Sequence, residues 1–357
     1  MSTLNTAKTL WISLPESIRN ASGAQWLKER AKTLLGCQEN SPPEVLTAAP
    51  VENDTRPNAH IPPGAKLIKT LEELDVMLKK LDEMAAVSDD ELRKGFQMFY
   101  MEFPLELPED PDCSEYRDVQ MRFYEWLHGK PYSVQNEIDP IDIDAMASRP
   151  FPFTTESPQT VGNQIMAIGH LIKTMDLGAA SKVLEFGPGW GNTTVWLARM
   201  GYKVTAVDIN ENFLNLIKRR AANKNLQVDT VTGDFSKIDQ LDKKFDAILF
   251  FECFHHCANH HELIAKFDQV LAPGGKVIFA AEPISNAFPI PWGLRLDGEA
   301  VWAIRKNGWL ELGFQETYFR QLMAKHGWNL SKHVCTDTPW GEVLVATRTS
   351  ETDSRTT

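Results

Sequence analysis

Val183-Leu184-Glu185-Phe186-Gly187-Pro188-Gly189-Trp190-Gly191-Asn192 reads as a strand emptying into a tight turn. Val183, Leu184 and Phe186 are strand-forming, glycines follow at alternate positions (Gly187, Gly189, Gly191), and 193–200 has the pattern of a helix. Glycine lets a chain turn sharply and lets a ligand approach the backbone, while the first amides of the next helix favour electron-rich groups. A nucleotide-like cofactor suits that arrangement. The spacing is G-x-G-x-G, and Asn192 stands where the dinucleotide fingerprint has its last glycine, which argues against NAD or FAD.

Downstream the pattern alternates. Predicted strands at 183–186, 203–207, 227–232, 245–251 and 276–281 are interspersed with predicted helices at 193–200, 211–222 and 261–271. Such alternation implies a parallel sheet covered by helices on both faces. A helix at 315–326 follows, then strands at 332–336 and 342–347 joined through Pro339-Trp340-Gly341 as an antiparallel hairpin. The predicted fold class is α/β: a doubly wound seven-stranded sheet with an antiparallel terminal hairpin, preceded by a mostly helical N-terminal module.

That module is expected to occupy 1–150. It has a helix at 10–36, a Pro-rich linker near 38–65, and helices at 89–103 and 113–127, the last rich in aromatics (Tyr116, Phe123, Tyr124, Trp126). Leu67, Leu71, Leu74, Leu78 and Leu81 form about two heptads, a seam that packs either on its own domain or on a second copy or protein partner. Pro150, Phe151, Pro152, Phe153 and Pro158 mark a connector, and a helix at 161–175 leads into the catalytic domain at 151–348. Residues 349–357 read as a disordered tail.

The 357 residues suffice for a large core, and 43% hydrophobic with 24% charged content is that of a globular protein. A formal net charge of −11 argues against a phosphate-backbone grip, so no nucleic-acid partner is expected. Met1 to Leu10 lacks the basic and apolar parts of a signal peptide, and the strongest apolar run, Ala247 to Phe251, is broken by Glu252, so neither a leader nor a membrane span is expected. Five scattered cysteines (Cys37, Cys113, Cys253, Cys257, Cys335) suit a reducing, cytoplasmic location better than a disulfide framework.

Residues 180–348 resemble a class I S-adenosylmethionine-dependent methyltransferase, with that family's motifs in order. The resemblance implies a Rossmann-like methyltransferase fold, S-adenosyl-L-methionine as cofactor and S-adenosyl-L-homocysteine as product. On the same basis Glu185, Phe186, Gly187, Gly189 and Gly191 cradle the methionine end of the cofactor. Asp208, followed by Ile209, accepts both ribose hydroxyls, one on each carboxylate oxygen. Gly233-Asp234-Phe235 meets the adenine, Asp234 toward the exocyclic amine and Phe235 beside the ring, and Phe251 ends the strand that faces the methyl group.

That strand continues as Glu252-Cys253-Phe254-His255-His256-Cys257, without the Asp/Asn-Pro-Pro-aromatic motif of adenine and amide methylases. An activated methyl needs in-line placement of its acceptor, and a hydroxyl acceptor benefits from a base, a task for an imidazole near neutral pH. His255 or His256 is the expected base, with Glu252 orienting it or the acceptor. Cys253, His255, His256, Cys257, His260 and His261 also raise a metal reading, but no zinc-type spacing recurs elsewhere and no metal is assigned.

The insertion at 282–314 is expected to select the substrate. Its Trp292, Arg295, Asp297, Glu299, Trp302 and Trp309 interleave flat aromatics with charge, which suits a polar ligand with apolar faces such as a sugar. The 151–330 portion is further similar to bacterial methyltransferases of surface-glycan systems, which implies O-methylation of a sugar or glycan precursor. Methylation of a small molecule at O, N or S is the alternative, as is a protein that docks a glycosyltransferase through its N-terminal helices.

Overall fold

The computed structural model describes residues 62, 64–87, 89–138, 140–148 and 158–349. The expected helix at 10–36, most of the Pro-rich linker, Cys37, the connector at 149–157 and the tail beyond Thr349 lie outside the described residues. In chain order the elements are β1 (Lys66–Ile68), α1 (Leu71–Val87), α2 (Asp89–Phe96), β2 (Phe99–Met101), α3 (Ser114–His128), α4 (Ile143–Ala147) and α5 (Pro158–Met175). Next come β3 (Lys182–Phe186), α6 (Asn192–Arg199), β4 (Lys203–Asp208), α7 (Glu211–Ala222), β5 (Asp229–Thr232), β6 (Phe245–Phe251), α8 (His260–Val270) and β7 (Leu271–Ala280). The chain ends with β8 (Trp292–Leu294), α9 (Gly298–Asn307), β9 (Leu312–Phe314), α10 (Glu316–Lys325), β10 (Trp328–Val334) and β11 (Glu342–Arg348).

The central strands are apolar on both faces because helices cover both: Val183, Leu184, Ala247 to Phe250 and Val277 to Ala280 are all buried. The seven strands run in the order β5-β4-β3-β6-β7-β11-β10. The first five are parallel, and β11 and β10 are antiparallel additions. Chain order reverses between β3 and β6, so their carboxyl ends open the crevice where open α/β sheets bind ligands. The strand expected at 332–336 begins four residues earlier, because Trp328 inserts into the core and draws the start of β10 with it.

Ahead of the sheet, the helix expected at 89–103 stops at Phe96. The chain turns at Gln97 and Met98, Met98 N donating to the Gly95 carbonyl (3.0 Å), and Phe99 to Met101 instead pair in parallel with Lys66 to Ile68. Leu74 and Leu81 are fully buried in the chain's own core, with Leu71 and Leu78 packed against it, so the leucine seam has an intramolecular partner.

The insertion folds as the β8–β9 hairpin with α9 between its strands, and it packs on α3. Tyr116 Oη donates to the Trp292 carbonyl (2.9 Å), Leu294 N donates to Gln120 Oε1 (3.1 Å), and Arg305 forks onto both Asp75 oxygens (3.0 Å each). Phe99, Phe123, Trp292, Trp302 and Phe314 belong to one core that continues under the sheet to Phe250, so core contacts cross residue 150. Among the described residues no helix is long and apolar enough to cross a membrane.

Candidate functional site

The glycine turn after β3 is built by steric necessity. Gly187, Gly189 and Gly191 all have positive φ (56°, 52° and 72°), the region glycine enters without a Cβ penalty. A Cβ on Gly187 would lie 2.6 Å from Cys253 Cβ, and one on Gly191 would lie 2.3 Å from Ile217 Cγ1, whereas Gly189 faces open space. Beneath the turn, buried Arg220 donates to the Trp190 carbonyl (2.6 Å) and Asn192 Oδ1 (3.3 Å), and burial lowers its guanidinium to about 9. Glu185 is buried and accepts from Thr194 Oγ1 at 2.6 Å; burial first, then repulsion from Asp208, raise its carboxyl to about 7.

Asp208 closes β4. Its Oδ2 accepts from Gly189 N (3.2 Å) and its Oδ1 from Asn210 N (2.8 Å), while burial raises the carboxyl to about 6 despite those bonds. Asp234 caps the short turn after β5, accepting from Ser236 N at 2.9 Å, and the Phe235 ring rests against Phe186 at 5.6 Å. A cavity of about 480 Å³ runs across these strand ends, lined by Glu185, Phe186, Gly187, Gly189, Asp208, Ile209, Asp234, Phe235 and Phe251. Of the residues expected to hold the cofactor, only Gly191 is off this wall, taken up by its contact with Ile217.

Beyond β6 the chain bends through Glu252, whose φ of 52° is unusual for a side chain with a Cβ. The bend is held from the next strand. Glu282, buried just past β7, accepts on Oε1 from Cys253 N (2.8 Å) and Phe254 N (2.9 Å), and on Oε2 from His255 N (3.2 Å) and His255 Nδ1 (2.8 Å). Burial raises its carboxyl, and the three amides pull it back. His255 is therefore a buried member of this clamp, and it does not line the cavity. Glu252 and His256 do. His256 Nδ1 lies 2.7 Å from the Leu310 carbonyl; a carbonyl only accepts, so Nδ1 carries a proton, and in the neutral ring the lone pair is then on Nε2. His255, His256 and Glu311 each place one donor atom within 4.8 Å of the others.

The far end of the cavity is walled by both flanking segments. Trp309 and Glu311 come from the insertion, and Arg117, Tyr132 and Glu137 from the residues before the sheet. Glu137 Oε1 accepts from Leu310 N (2.8 Å) and Tyr132 Oη (3.2 Å), and burial, reinforced by Glu137, raises the Tyr132 phenol. Tyr132 and Glu137 carry no periodic or motif signal and were not among the expected site residues; only the fold brings them here.

Of the six insertion residues expected to meet substrate, Trp309 reaches the cavity and five do not. Trp292 is core, its Nε1 donating to the Pro111 carbonyl at 2.8 Å and its ring beside His260 at 4.5 Å. Trp302 is buried against Phe96 at 5.3 Å. Asp297 caps α9 through Ala300 N, Arg295 bridges Asp297 (3.1 Å) and Glu311 (3.4 Å), and Glu299 is exposed. Trp292 attaches the insertion to α3 and Trp302 packs it on α2, which leaves the adjacent charges for capping and pairing.

Residues 184–279 match a family profile described as a methyltransferase domain. An uncharacterized methyltransferase of Geobacillus thermodenitrificans (strain NG80-2) is 30% identical over 172 residues, covering 45% of this chain and 75% of that protein. Another, from Geobacillus sp. (strain WCH70), is 35% identical over 112 residues, covering 31% of this chain and 51% of that protein, so the match spans about half of that relative's length. Among solved structures, the Burkholderia thailandensis 1,6-didemethyltoxoflavin N1-methyltransferase is 21% identical with a TM-score of 0.39, over 52% of this chain and 79% of that one.

Proposed function

This chain belongs to the class I S-adenosylmethionine-dependent methyltransferases, and on that premise we propose that it O-methylates a hydroxyl of a sugar or glycan precursor. The observation that carries the proposal is the two-part cavity, whose cofactor half meets an acceptor end lined by Trp309, Tyr132, His256, Glu137 and Glu311. Flat rings beside convergent polar groups suit a polyol with an apolar face.

The cofactor half fits S-adenosylmethionine. The open face at Gly189 admits a ligand to the backbone, the Asp208 carboxylate suits two ribose hydroxyls, and Phe235 offers a ring face to adenine. When bound, the cofactor supplies a methyl group already activated on a sulfonium. The protein's remaining task is placement and proton removal. Glu252, bonded through its N to the Ala280 carbonyl, and Cys253, held by the Glu282 clamp, shape the wall past Phe251 where the acceptor oxygen must approach in line. His256 Nε2 takes the hydroxyl proton as the oxygen–carbon bond forms, while its Nδ1 stays anchored to Leu310. His255 orients that loop.

The test is a screen of acceptors with labelled S-adenosylmethionine. Label transfer to nucleotide sugars or oligosaccharides supports the proposal, transfer confined to amines or thiols refutes it, and cofactor binding with no turnover favours a docking role for the N-terminal helices.

A further inference from the structure

At the acceptor end we propose a binding site for one divalent transition-metal ion, formed by His255, His256 and Glu311. The sequence separates Glu311, at the far end of the insertion, from the adjacent His255 and His256, and the fold brings the three together. One donor atom from each lies within 4.8 Å of the other two, and His255 Nε2 is 3.8 Å from Glu311 Oε2. An equilateral set at the 4.8 Å limit would leave a central ion about 2.8 Å from each atom, so an inward shift of ~0.7 Å reaches zinc–nitrogen bonding distance. Rotamer adjustments of that size lie within ordinary side-chain freedom.

The surroundings are those a metal site requires. A ligating histidine generally donates its other ring N–H to a carboxylate or carbonyl, which fixes the tautomer and aims the lone pair. His255 Nδ1 is anchored to Glu282 Oε2 at 2.8 Å, and His256 Nδ1 to the Leu310 carbonyl at 2.7 Å. Glu311 is oriented by Arg295 at 3.4 Å, and that cation is itself paired with Asp297. Glu282 and Glu137 add two further carboxyls beside the histidines, against the cations Arg295 and Arg117 at this end. Two imidazoles and one carboxylate leave coordination positions open, and His256 and Glu311 border the cavity, so those positions face the acceptor.

This deepens the hydroxyl-acceptor reading and rests on it for its chemical consequence. In the loaded enzyme His256 Nε2 serves as a ligand and not as the base, a role it has only in the metal-free site. A hydroxyl oxygen bound at an open position becomes more acidic and loses its proton to solvent. Its lone pair then forms the new oxygen–carbon bond as the carbon–sulfur bond breaks, the electron pair staying on sulfur.

The full-length chain, stripped with a chelator, is titrated with Co²⁺ and then Zn²⁺. The expected result is one equivalent of Co²⁺ with weak visible bands and no near-ultraviolet thiolate band, displaced by Zn²⁺. His256→Ala and Glu311→Gln should each weaken Zn²⁺ binding by at least about 10-fold. S-adenosylmethionine affinity serves as the folding control for both variants. A thiolate band, which would move the ion to Cys253 or Cys257, overturns the site, as does Zn²⁺ affinity unchanged in both folded variants. Full-rate hydroxyl methylation by the stripped enzyme overturns this inference and leaves the O-methylation reading standing. Ion binding as described with turnover only on amines supports the site and refutes that reading.

Discussion

Replacing Glu282 with glutamine tests whether one buried carboxylate holds the loop between the cofactor and the acceptor. The carboxylate accepts four hydrogen bonds, two per oxygen, all from Cys253, Phe254 and His255. A glutamine carbonyl at the Oε1 position keeps the two to Cys253 N and Phe254 N but without charge assistance, a loss of ~1 kcal/mol each. Its NH₂ then faces His255 N and Nδ1. The imidazole can switch tautomer and accept, but the His255 amide is left buried and unpaired at about 1–3 kcal/mol. Relief from desolvating a charge offsets part of this, so the expected destabilisation is ~2–4 kcal/mol. For a chain of this size that lowers Tm by about 3–5 °C. Displacement of the loop by ~1 Å should also cost about 100-fold in kcat. Cofactor affinity should fall far less, because Asp208 and the glycine turn are held by other contacts. Scanning calorimetry, calorimetric titration of S-adenosylmethionine and steady-state kinetics on the acceptor found in the screen measure the three quantities. A Tm within 1 °C of the parent (on the order of the shift from a surface substitution) with unchanged kcat would refute the clamp.

Asp208→Ala should weaken S-adenosylmethionine binding by about 100-fold or more, from the loss of two hydroxyl bonds to a charged acceptor; unchanged affinity removes Asp208 from the site. The folded pKa of Glu185 is raised from 4.5 to about 7 and that of Asp208 from 3.8 to about 6, so between those limits the folded chain holds protons that the unfolded chain releases. Their stabilisation is complete below the lower values and is lost as pH rises, so the cofactor-free protein should melt higher at about pH 6 than at about pH 8, and Glu185→Gln should flatten that slope. An equal slope in parent and variant removes Glu185 as its source. Trp292→Ala should cost ~3–5 kcal/mol of stability as a core truncation, measured by denaturant titration. Trp309→Ala, by contrast, should raise acceptor KM with cofactor affinity preserved, and the reverse pattern would exchange their roles.

Much of the cofactor half was legible residue by residue. Gly187, Gly189, Asp208 and Asp234 sit at strand ends, and a strand end followed by glycine or aspartate is a local pattern. The helix at 211–222 and the strand at 245–251 have their expected limits. The acceptor half was not legible in the same way. Trp292 and Trp309 look alike in sequence, yet one is bonded to Pro111 in the core and the other borders the cavity. Nothing local to Glu282 distinguishes a loop clamp from the first residue of an insertion.

The sequence by itself determined the alternating α/β sheet, the glycine turn and the carboxylates that follow the parallel strands, because periodicity and turn chemistry act over a few residues. The tertiary structure decided that Tyr132 and Glu137 wall the acceptor end, that Glu282 binds the loop after β6, and that His255, His256 and Glu311 converge. Those contacts join residues from about 27 to 180 positions apart, and their formation depends on which apolar surfaces the segment before the sheet and the insertion bury against each other.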